Sequence, residues 1–192
     1  MVHSAASFDA ILCSAREEIL RNGILGLRVA DVAVAANTSI TQIYRFFRNR
    51  DGLLARVLGD IYDEQTQFAV DAYIAKLPKS RMLTIDDLVD AVPRVMNDDQ
   101  VKYHELRLQI LATSIHNLEL KERLKLCTTK LLDTWKSGLA ELQARMEPGQ
   151  NFDERVFLMH FAQQNPYYRT LTHERFFTPD EYRDFLREKL RA

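Results

Sequence analysis

The chain has 192 residues, 46% of them apolar and 28% charged, which is enough apolar surface for one or two folded domains and too balanced for a disordered tail. Six glycines and five prolines are too few for a turn-rich β protein, and no apolar run approaches the roughly 20 residues of a membrane span. The net charge of −1 excludes a uniformly basic nucleic-acid binder, yet residues 1–56 carry seven arginines against five acids and leave the remainder at −3. That sign suits a phosphate-facing head on an acidic body.

Taken in chain order, nearly every long segment has helical spacing. Phe8, Ile11, Leu12, Ala15 and Ile19 mark a first helix, stopped by Asn22-Gly23. Short helices follow at Val29 to Ala36 and at Ser39 to Phe47. Asn49 can cap a long helix carrying Leu53, Leu54, Val57, Leu58, Ile61, Phe68, Ala69 and Ala72, broken by Pro78-Lys79-Ser80. Thr84-Ile85-Asp86-Asp87 opens a helix through Met96, with a kink or break expected at Pro93. Asn97-Asp98 opens the next, through Ile110, and a long amphipathic helix carries Leu120, Leu124, Cys127, Leu131, Trp135, Leu139 and Leu142 up to Pro148-Gly149. Val156 to Ala162 is a helix apolar on nearly all sides, and Thr178-Pro179-Asp180-Glu181 starts a final helix with Phe185, Leu186 and Leu190. Cys13 and Cys127 make neither a disulfide framework nor a metal spacing, and no basic-then-apolar leader opens the chain, so a cytoplasmic protein is expected.

Residues 29–47 fit a helix-turn-helix. Two helices crossing steeply need a small residue where they touch, which Ala33 supplies, and a turn residue tolerant of positive φ, which Asn37 supplies. Val32, Ala36, Ile43 and Phe46 lie where the wedge would close. Ser39 can cap the second helix with Gln42 three positions later, as in a capping box. The N-terminus of that helix then suits phosphate and the major groove. Ile40, Thr41 and Gln42 are placed for base edges, Tyr44 can donate to a phosphate, and Arg45, Arg48 and Arg50 can neutralise backbone charge. The plainer alternatives are a core role for Phe46 and Phe47 and an ordinary solvated face for the arginines.

The stretch from Ile11 to Leu54 resembles the N-terminal domain of TetR-family transcriptional regulators. Gly23, Asp31-Val32-Ala33, Ala36-Asn37-Thr38-Ser39, Ile43-Tyr44 and Phe47-Arg48-Asn49-Arg50-Asp51-Gly52-Leu53-Leu54 carry the likeness. The resemblance implies an all-α homodimer, with a helix-turn-helix head over 1–48 and a ligand-binding and dimerisation domain over 49–192. By position, Tyr44 and Arg50 resemble the family's phosphate contacts, and Ser39 to Gln42 fall on its recognition helix. The sequence departs from the pattern at Asn37 (usually Gly), Thr38 (usually aliphatic), Leu27-Arg28 (no Thr opening the second helix) and Arg50 (usually Lys).

A family pocket would lie between about residues 53 and 145. Phe68, Tyr73, Tyr103, His116 and Trp135 are its candidate contacts, although aromatic stripes at helical spacing are also what a core looks like. The all-round apolar stretch at Val156, Phe157, Met159, His160 and Phe161, with Phe185 of the last helix, is the candidate dimer interface, or else a central core helix. No nucleophile elbow and no phosphate-binding glycine loop is present, and the paired acids Asp86-Asp87 and Asp98-Asp99 sit at helix starts, where the dipole explains them. The expectation is therefore a repressor released from a pseudo-palindromic double-stranded DNA operator by a small-molecule effector, needing no metal and no cofactor. A head without an effector, and a helical enzyme whose head is only packing, are the rivals.

Overall fold

The computed structural model describes the backbone of residues 2–92, 98–157 and 178–191. It is all-α: among the described residues no β-strand forms, only isolated bridges pairing Leu83 with Met146 and Phe152 with Arg191. The helices are α1 (Val2–Gly26), α2 (Val29–Ala35), α3 (Ile40–Phe47), α4 (Arg50–Ile74), α5 (Ile85–Asp90), α6 (Asp98–Ser114), α7 (Leu118–Ala144) and α8 (Pro179–Leu190). Residues 154–157 are helical as well. The expected kink at Pro93 and most of the apolar stretch after Phe157 lie outside the described residues. None of the described helices is long and apolar enough to cross a membrane.

The packing divides the chain into two compact units, Met1–Glu64 with Leu108–Thr129, and Gln65–Arg107 with Lys130–Ala192. The head expected over 1–48 sits inside the first. Its core joins Ile11, Ala15 and Ile19 of α1, Val32 of α2, Ile43 of α3, and Leu53, Leu54, Leu58 and Ile61 of α4, with Leu120 of α7. Polar ties fix these helices. Asn117 accepts from the Leu120 N–H at 2.9 Å, capping α7, and donates to the Asp51 carbonyl at 2.9 Å. Asp60 of α4 receives Arg56 at 2.8 Å and also Arg123 of α7. The Arg123 side chain lies so close over Gly59 that any β-carbon there would overlap it. Arg16 of α1 pairs with Glu64.

The second unit has its own core, with Tyr73, Leu83, Leu88, Val89, Leu139, Leu142, Phe152, Phe157, Leu186 and Leu190 buried together. Both helix starts expected here are full capping boxes. Thr84 Oγ1 accepts from the Asp87 N–H at 3.2 Å while Asp87 accepts from the Thr84 N–H at 2.8 Å, and Thr178 and Glu181 repeat the exchange at 3.1 and 2.6 Å. Arg183 of α8 is buried and donates to the Val89 carbonyl at 2.9 Å and to Asp90 at 2.8 Å, holding the end of α5.

The Arg81 guanidinium, bonded to both Asp87 oxygens, together with the Thr84 bonds holds the Asp87 carboxyl down at about 2. A carboxyl lowered on folding contributes stability above its ordinary value of about 4 and loses it as pH falls towards 2. Acid unfolding followed by circular dichroism should therefore fall more steeply between about pH 4 and pH 2 in the wild type than in Asp87→Asn. Equal slopes would show that the α5 cap does not contribute.

Candidate nucleic-acid interface

The site is built from α2, α3 and the two residues before α4. Val32 and Ala33 of α2 and Ile43 and Phe47 of α3 are buried and close the wedge. Phe46, expected there, is only half-buried. The reason is helical geometry: Phe47 follows Ile43 by four and shares its inward face. Asn37 takes φ 48° as the turn demands, and the Thr38 N–H reaches the Ala33 carbonyl at 2.9 Å. Arg28 stands in extended conformation at the N-cap of α2 and makes no side-chain cap bond, which follows from the missing Thr.

Ser39 caps α3, its Oγ accepting from the Gln42 N–H at 3.1 Å. Among the described hydrogen bonds the Gln42 side chain returns none to Ser39, so its amide is not held in the reciprocal half of a capping box. With Ile43 and Phe47 inward, α3 turns Ser39, Ile40, Thr41, Tyr44 and Arg45 outward, and Arg48 at its C-cap is exposed too. Tyr44 is 38% and Ile40 42% exposed. The outer face thus offers an apolar surface, a hydroxyl, a phenol, an amide at its edge and two guanidinium groups: the chemistry of base edges and phosphates together.

The turn into α4 holds what the sequence did not announce. Only Arg48 and Asn49 separate the two helices, so Arg48 takes φ 64°, a left-handed conformation rare for an arginine, and its N–H bonds the Tyr44 carbonyl at 2.7 Å. Asn49 caps α4 as expected, its Oδ1 accepting from the Gly52 N–H at 2.8 Å. The Arg50 side chain is bonded to the fold itself. Its Nε donates to the Leu27 carbonyl at 3.3 Å and its Nη2 to the Ile24 carbonyl at 3.1 Å. Those carbonyls are open because Gly23, at φ 75° and ψ 170°, breaks α1 and redirects its last turn. A planar guanidinium reaches two carbonyls where an ammonium would reach one, which gives a reason for arginine at this position. Arg28, exposed beside this corner, is absent from the residues that the sequence pattern singles out. The signal for it is its place directly before α2.

The other candidates are scattered. Tyr73 is buried, its hydroxyl donating to the Leu88 carbonyl at 2.7 Å, and burial pushes the phenol far above its ordinary range. Its ring meets Phe157 edge-on at 5.6 Å, so a pocket candidate and an interface candidate pack on each other in one core. Phe157 is 2% exposed within its own chain. Val156 is half-buried, and Phe185 is exposed on α8. Tyr103 donates to the Gln65 carbonyl, Phe68 is exposed on α4, and His116 is exposed in the turn between α6 and α7. The Trp135 side chain and residues Met159, His160 and Phe161 lie outside the described residues.

Residues 11–57 match the family model of the bacterial regulatory proteins, tetR family. No curated protein matches the chain. Among solved structures it is similar to a TetR-family transcriptional regulator from Mesorhizobium loti (TM-score 0.65, 15% identity, covering 97% of this chain and 94% of that one). It is also similar to a TetR-family regulator from Rhodococcus sp. (0.58, 20%, 98% and 100%) and to a transcriptional regulator from Saccharomonospora viridis solved in complex with choline (0.54, 18%, 94% and 93%). At these identities the structures establish the fold, while the matched residues are those of the helix-turn-helix described above. The head thus matches the tetR family model over residues 11–57, and the fold of the chain is that of TetR-type regulators.

Proposed function

We propose that the protein is a ligand-responsive repressor that binds a pseudo-palindromic DNA operator as a homodimer. The observation that carries the DNA reading is α3: Ser39 caps it, Ile43 and Phe47 anchor it, and Ile40, Thr41, Tyr44 and Arg45 stand exposed on its outer face. Two such helices related by a two-fold axis would enter successive major grooves about 34–36 Å apart. The similar regulator solved with choline supports a small-molecule effector for this fold. An effector would act by preferring a dimer in which the two heads are wrongly spaced, which requires differential affinity for the two states.

Fluorescence anisotropy on DNA selected from a random pool, at several salt concentrations, tests the reading. Arg45→Ala and Arg48→Ala should each flatten the log–log salt slope by about 0.9 for every phosphate left unneutralised, hence nearly 2 per dimer. Arg50→Ala should weaken binding through the displaced corner and leave the slope near the wild-type value. Selection that enriches no sequence would overturn the proposed function.

A further inference from the structure

We propose that Phe46 is a positioning residue of the DNA interface: its ring, set in place by Phe8 of α1, is a platform that holds the Arg45 guanidinium ready for a phosphate. The phosphate rests on the proposed function, but the platform does not. The guanidinium carbon of Arg45 lies 5.9 Å from the centre of the Phe46 ring, within reach of a cation–π contact. Among the described residues Arg45 makes no hydrogen bond and no ion pair, so the ring is the partner the structure gives its exposed charge. Its neighbours differ: Arg50 is bonded to the carbonyls of Ile24 and Leu27, and Arg56 to Asp60 at 2.8 Å.

Phe46 is itself held from outside its helix. It is half-buried because α3 turns Ile43 and Phe47 inward and leaves it at the edge of the wedge. There Phe8 meets it edge-on, with ring centroids 5.5 Å apart, and stacks on Phe47 at 5.1 Å. These are the arrangements aromatic rings prefer, so Phe8 fixes the tilt of Phe46 from another helix. Phe8 is braced in turn by the Arg56 guanidinium, whose carbon is 5.6 Å from its ring centre. Consecutive residues on a helix do not face each other, so α3 alone does not supply the contact of Arg45 with Phe46. The Arg45 chain leans across a ring that Phe8 holds. Such a platform does not compete with DNA. A ring engages the flat face of a guanidinium, while the N–H donors lie in its plane and stay available to phosphate oxygens. A free arginine gives up rotamer freedom when it docks, and Arg45 over its ring has already given up part of it.

Two measurements on the full chain separate the platform from the DNA reading. Without DNA, the magnetic-resonance signal of the Arg45 Nε proton, assigned by its loss in Arg45→Lys, should lie upfield of ordinary arginine signals because it sits over a ring. It should return to them in Phe46→Leu and move towards them in Phe8→Leu. An ordinary position in the wild type, or one indifferent to Phe46→Leu, overturns the platform. With selected DNA, mono-, di- and trifluorophenylalanine are placed at position 46, keeping the shape of the ring while progressively withdrawing its negative face. Affinity should fall in steps, reaching about threefold per head and about tenfold per dimer with the trifluoro ring. The same series should be flat in Arg45→Ala. The salt slope should stay at its wild-type value throughout the series, since no charge is removed. A ring that served packing alone would give no steps, or equal steps in both backgrounds, and either result overturns the positioning role. If the Arg45 signal behaves as described while no DNA is selected, the platform stands and the proposed function falls. If DNA is selected and the series is flat with Arg45 present, the positioning role alone falls.

Discussion

Gly52→Ala should destabilise the protein by about 2 to 3 kcal/mol, the range of an overpacked site, and lower its melting temperature by about 5 to 10 °C. The sign is the reverse of the usual one. A glycine inside a helix ordinarily gains up to about 1 kcal/mol when replaced by alanine. Here a β-carbon would overlap the carbonyl oxygen of Phe47, a backbone atom that cannot swing aside. That carbonyl is already held by the Asn49 N–H at 2.8 Å, and Asn49 in turn caps the Gly52 N–H. Relief would come only by moving the turn that carries Arg48, so operator affinity should fall with stability. Gly138→Ala is the internal control, because nothing lies within 4 Å of its would-be β-carbon on α7. It should raise the melting temperature slightly, as helix propensity dictates. Thermal melts of the two variants side by side decide the matter, and an unchanged Gly52→Ala melt would mean that the turn is softer than its bonds suggest.

The second large effect is at Arg183, and there the replacement chosen decides the outcome. Arg183→Ala should lose about 3 kcal/mol, since it empties the space of a long side chain that is 3% exposed in the second core. Arg183→Met should lose far less, or gain. The buried guanidinium carries an Nε with no hydrogen-bond partner, a standing penalty that methionine removes. Neither acceptor would be stranded: the Val89 carbonyl keeps the Val92 N–H at 3.1 Å, and Asp90, 58% exposed, keeps Arg187 at 3.3 Å. Chemical denaturation of the two variants separates packing from charge. Equal large losses would show that the hydrogen bonds of Arg183, and not its bulk, hold the end of α5.

Local chemistry was the legible part of this sequence. The caps at Ser39, Asn49, Thr84 and Thr178 and the positive φ of Asn37 follow from the residues themselves, because each depends on neighbours within four positions. What could not be read depends on neighbours distant in sequence. Arg50 looks like any exposed arginine at a helix start until Ile24 and Leu27 are brought beneath it, 26 and 23 positions away. Tyr73 and Phe157 satisfy the same pattern in a pocket, an interface or a core, and only tertiary packing makes them neighbours. The fold class was recoverable because helical periodicity is local, and the outward face of α3 because a single capped helix defines it. The candidate pocket residues of the body had no comparable local signature.

The bonds from Arg50 to the corner after Gly23 bear on how the molecule opens. The carbonyls of Ile24 and Leu27 cannot leave Arg50 without disturbing the first turn of α4, and that turn cannot fray without releasing the corner. The two segments therefore belong to one cooperative opening unit, although more than twenty residues separate them in the chain. This makes the start of α2 and the start of α4 a single element in local unfolding, so under the proposed function the recognition helix is held between two ends that yield together or not at all.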